Sequence, residues 1–71
     1  MTRRRRVKLI HEGQLAAEVD VEVVEEEGGW SPYLSADDAK KLDDVREALR
    51  RGDLKTARTL ARIFRLTPIT A

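Results

Sequence analysis

Cysteine is absent from this chain, so no disulfide ties it together and no thiolate is available for metal or nucleophilic chemistry. That absence fits a reducing cytoplasm. Histidine occurs once, as His11. A lone imidazole builds no structural zinc site, and nothing beside it specifies the nucleophile or pocket that general-base work needs. Long apolar runs are missing too. None approaches the roughly 20 residues that span a bilayer. Arg3 to Arg6 lead into Val7-Lys8-Leu9-Ile10-His11-Glu12, too short and too charged for the apolar stretch of a signal peptide. The expectation is a cytoplasmic protein with no membrane contact.

Charge of one sign is also lacking, since 14 lysines and arginines nearly balance 13 acids. Only local clustering can therefore mark a charged partner. With 71 residues and three aromatics, the chain makes a single domain over 1–71, with a thin core. Such a domain gains most from oligomerisation or a partner, so a homodimer or a complex with a small protein is expected.

What is present in the first half is alternation. Residues 3–11 and 15–24 read as two strands, with Val7, Leu9 and His11 in one and Leu15, Ala17, Val19, Val21 and Val23 in the other at period two. Gly13 supplies the positive φ of a tight loop. A two-residue loop at Glu12-Gly13 puts Arg6 opposite Val19 and Arg4 opposite Val21. A three-residue loop pairs Leu9 with Ala17 and Val7 with Val19, and lines Lys8, Arg6 and Arg4 against Glu18, Asp20 and Glu22. The second arrangement gives one apolar face and one charge ladder, so it is the expected register. Two strands alone leave both edges open, which a second copy or a partner strand would cover.

The second half reads as two helices. Ser35 with Asp38 resembles a capping box, and Ala39, Leu42, Val45 and Leu49 mark an apolar face up to about Arg51. Gly52 suits the position after a helix end, and Asp53 caps a second helix over 54–65. Leu54, Ala57, Leu60, Ala61 and Phe64 form its apolar face. The short connection implies an antiparallel helix pair. The fold class is therefore α+β, a β-hairpin followed by an antiparallel helix pair (ββαα), with a basic segment at 1–6 and a tail at 66–71.

No catalytic, cofactor-binding or metal-binding set emerges. Asp37 and Asp38 suit a helix start, Asp43 and Asp44 a solvated face, and Gly28-Gly29 is too short for a phosphate loop. Two features invite partners. Trp30 and Tyr33, on an apparent loop, suit either a protein-binding hot spot or core closure. Arg3, Arg4, Arg5 and Arg6, together with a stripe of Lys55, Arg58, Arg62 and Arg65 on the second helix, suit nucleic-acid phosphates. The alternating acids opposite the arginines favour a solvated charge ladder, and the stripe lacks Asn or Gln for adenine edges.

The motifs His11-Glu12-Gly13, Ala17-Glu18-Val19 and Gly29-Trp30-Ser31-Pro32-Tyr33-Leu34-Ser35 resemble a family of short, uncharacterised bacterial proteins. So do Asp38-Ala39, Lys41-Leu42-Asp43, Gly52-Asp53-Leu54 and Leu66-Thr67-Pro68. The resemblance implies a bacterial cytoplasmic protein and, by size alone, an antitoxin-like partner in a small gene pair. The expected function is a non-enzymatic protein-interaction module, with nucleic-acid binding as the alternative.

Overall fold

The computed structural model of the chain describes residues 2–25, 28 and 33–70. Its first half is organised by Gly13, at φ +60°, with Gln14 beside it at negative φ. A glycine at positive φ in the first of two loop positions is the type II′ turn, whose twist matches that of the flanking strands. It joins β1 (Thr2–Glu12) to β2 (Leu15–Glu25). Glu12 lies opposite Leu15, Ile10 opposite Ala17, Lys8 opposite Val19 and Arg6 opposite Val21. The three-residue loop is thus overturned, and with it the Arg6–Asp20 and Val7–Val19 pairs. A loop of that length needs its left-handed residue last, where Gln14 stands, whereas glycine stands in the middle.

The one-residue change of register exchanges faces along β1. Ile10, Ala17, Val19 and Val21 are buried on the inner face, while Val7 and Leu9 are turned outward and are 50% and 75% exposed. The sheet has two more strands. β3 (Tyr33–Leu34) pairs with Val23 and Val24, and β4 (Arg62–Arg65) with Leu15 through Glu18, both antiparallel on the second edge of β2. Among the described residues, β1 is the strand of the hairpin whose outer edge has no strand partner along its length.

Between β3 and β4 a stretch of β2 has no strand partner, and helix side chains take that role. The Glu22 N–H donates to Asp38 Oδ2 at 2.7 Å, and Lys41 Nζ donates to the Asp20 carbonyl at 2.8 Å. Both come from α1 (Ala36–Arg50), started by Ser35, whose Oγ accepts from the Asp38 N–H at 3.1 Å. Helix α1 buries Val45, Ala48 and Leu49 on the inner face. Ala39, expected on that side, is exposed. Gly52, at φ +72°, turns the chain, and Asp53 caps α2 (Leu54–Leu60) by accepting from the Thr56 N–H at 3.1 Å.

The second correction lies at the end of α2. A helix to residue 65 was expected, but the backbone at Ala61 is extended and β4 follows. Arg62-Ile63-Phe64-Arg65 gains more by satisfying the backbone groups of β2 than by another helical turn, so tertiary pairing overrides the helical pattern. Ile63 faces the core and Phe64 the outer side, where it is 46% exposed. The result is a small α+β domain, a hairpin-based antiparallel sheet followed by two helices that cover one face. No helix among the described residues is long and apolar enough to cross a membrane.

Candidate functional site

The free edge of β1 is the largest set of unsatisfied backbone groups that the described residues present. All eleven residues of β1 pair with β2 on one side, and no described strand meets the other. An edge of this kind carries outward N–H and C=O groups ready for another strand. The arginines do not form a single patch there. Strand alternation sends Arg3 and Arg5 to the outer face, and Arg4 and Arg6 to the side of the helices, in line with Lys8.

Acids of β2 answer part of this charge diagonally, with Arg3 at 3.8 Å from Glu22 and Arg4 at 3.7 Å from Glu25. Arg5 lies directly opposite Glu22 and close enough to Asp20 to help hold its carboxyl low, whereas Arg6 and Lys8 form no ion pair among the described residues. Two cations therefore stand on the open strand without an ion-pair partner.

The basic stripe expected on the second helix does not exist as one surface. Lys55 and Arg58 lie on α2, and Arg62 and Arg65 on opposite faces of β4. Arg62 is fully engaged: its Nη1 and Nη2 donate to the Asp20 carboxylate at 3.2 and 3.1 Å, and its Nε lies 3.6 Å from Glu18. The guanidinium holds the Asp20 carboxyl below the usual carboxylate range, and the carboxylate in turn raises the Arg62 pKa. Tyr33, read from sequence as a loop residue, belongs to β3 and is about half exposed. Trp30 lies outside the described residues, so the aromatic pair cannot be assembled into a site.

Several other titratable groups have structural partners. His11 Nε2 donates to the Gly13 carbonyl at 2.8 Å, bracing the turn. Lys40 Nζ lies 2.9 Å from Asp44, which raises the lysine pKa, and Arg46 lies 3.5 Å from Asp43. Among the described residues no cluster of three or more His, Cys, Asp or Glu is placed to hold a metal ion. An open cleft of about 540 Å³ runs between β1, β2 and the start of α1, lined by Arg3, Arg5, Asp20, Asp38 and Lys41 among others. Its charges alternate in sign, so it selects neither an anion nor a cation.

Sequence reasoning missed the contact between Asp38, Lys41 and the edge of β2. No local pattern marks it, because it depends on where two short strands leave a gap. It also missed β4, although the β-branched Ile63 beside Phe64 was a usable signal. Compared with known proteins, the chain matches no family model, no curated protein and no solved structure.

Proposed function

We propose that the protein is a non-enzymatic interaction module whose β1 edge takes up an extended, acidic segment of a partner protein. The observation that carries this reading is the eleven-residue edge, without a strand partner among the described residues, bearing Arg6 and Lys8 without an ion pair. Strand addition draws affinity from backbone hydrogen bonds and selectivity from alternate side chains. The chain already displays the strand chemistry that β1 accepts, since Glu18, Asp20 and Glu22 alternate with valines in β2. Two β1 edges facing each other would instead oppose five basic residues and one carboxylate on each. A small acidic protein from a neighbouring gene, as in an antitoxin-like pair, is the class of partner that fits.

The test uses isotope-labelled protein and two synthetic peptides, one alternating Glu and Val, the other Lys and Val. The acidic peptide is expected to shift and protect β1 amides, to bind more weakly in high salt, and to lose about tenfold or more in affinity with the Arg6→Glu and Lys8→Glu substitutions combined. Equal binding of the basic peptide, or β1 amides unmoved at millimolar acidic peptide, would overturn the reading.

Nucleic-acid binding is the second reading, favoured by the run of basic residues on β1. It requires oligonucleotide affinity that falls with salt and with Arg5→Ala and Arg6→Ala, while Arg62→Ala changes little. Absence of any complex at low salt removes it.

A further inference from the structure

The turn at Gly13 leaves an apolar area on the outer face of the sheet, opposite the helices. Leu9 is 75% exposed, Val7 50%, Phe64 46% and Leu66 44%. The register gathers them: Ala16 lies between His11 and Phe64 across three strands, Leu9 is one step along that face, and Leu66 is held beside Gln14 by an N–H to carbonyl bond of 2.7 Å. The charged groups of this face are matched in place, Arg3 with Glu22, Arg62 with Asp20 and Glu18, and Arg5 opposite Glu22 and near Asp20. What the face lacks, among the described residues, is apolar cover and not a counter-charge.

The dimensions agree. The accessible surface is 5636 Å², against about 4,500 Å² for a compact monomer of this mass. The radius of gyration is 14.4 Å, against about 11 Å for a compact chain of this length. The backbone occupies a slab 47 × 31 × 14 Å, one sheet deep with one helical layer. The unpaired residues 67–70 add to the excess surface, and so does the part of the sheet face around Leu9, Val7 and Phe64 that no described residue covers. The excess of roughly 1,100 Å² exceeds the roughly 800 Å² that each partner loses in a standard stable interface.

We infer that a second copy of this chain covers the outer face, sheet against sheet, with Leu9 and Phe64 of each copy at the centre. The two-fold assembly places helices on both outsides and two sheets about 10 Å apart inside, and buries the same patch on each copy. It leaves the β1 edge accessible, so it stands or falls independently of the strand-addition reading.

Sedimentation velocity and native mass spectrometry on the full chain test it. At tens of micromolar the expected particle has twice the 8.1 kDa chain mass. Leu9→Glu and, separately, Phe64→Glu are expected to raise the dimer dissociation constant at least about 100-fold, with unchanged circular dichroism. Because Leu9 is so exposed, its variant folds even if the Phe64 variant does not. Arg6→Glu with Lys8→Glu, both on the helix side of β1, is expected to remain dimeric. A monomeric wild type at that concentration would overturn the inference. So would a dimer indifferent to Leu9→Glu, or one lost only in the Arg6→Glu, Lys8→Glu variant, which would place the interface on the strand edge.

Discussion

At Gly13 the backbone enters the left-handed region, and an added Cβ would meet no atom within 4 Å. The cost of Gly13→Ala is therefore purely conformational. It is expected to lower stability by about 1–2 kcal/mol in urea titration, without changing the transition slope. Asp20 and Arg62 give a pH-dependent counterpart. The Arg62 hydrogen bonds depress the folded carboxyl, so their stabilisation is complete above the unfolded value of about 3.9 and lost as pH falls through the lower folded one. In Arg62→Gln the Asp20 carboxyl is expected to titrate in the ordinary range by NMR. The stability deficit of that variant at neutral pH should close at strongly acid pH. Among single residues, Ser35, Gly52 and Asp53 were legible in the sequence because a cap is satisfied within its own few residues. Val7 and Leu9 were not, because the side they face is set by a turn several residues away.

Both hairpin strands and α1 appear close to where periodicity and caps place them. The boundary between α2 and β4 was not legible. Leu54, Ala57, Leu60, Ala61 and Phe64 satisfy a helical period, and only the presence of a free β2 edge decides for a strand. The same edge explains a second element-level contact. Asp38 caps nothing by itself, yet its carboxylate replaces a missing strand at the Glu22 N–H. Asp38→Ala is expected to cost about 1 kcal/mol and to accelerate hydrogen exchange at the Glu22 amide. Asp37→Ala, on the same helix turn, should leave that amide unchanged.

For the molecule as a whole, α+β class and the hairpin-then-helices order could be read in advance, but strand order and register could not. Three strands pair with β2 among the described residues, and two of them, β3 and β4, are set apart from it by stretches that carry no pairing signal of their own. The core that results is one layer of side chains between sheet and helices, so each member matters. Leu49, 4% exposed at the centre of it, is expected to cost about 2–5 kcal/mol on truncation to Ala. That is a large share of the stability of a small domain, and a marked fall in Tm by circular dichroism would register it.

Strand β2 finds its β4 neighbours, Ala17 with Ile63 among them, across most of the chain. During synthesis the hairpin and α1 emerge first, while that side of β2 waits for residues 62–65 to leave the ribosome. The fold is therefore completed late, by its last strand, and a nascent chain stalled before Arg62 would present adhesive backbone on two flanks of the sheet instead of one.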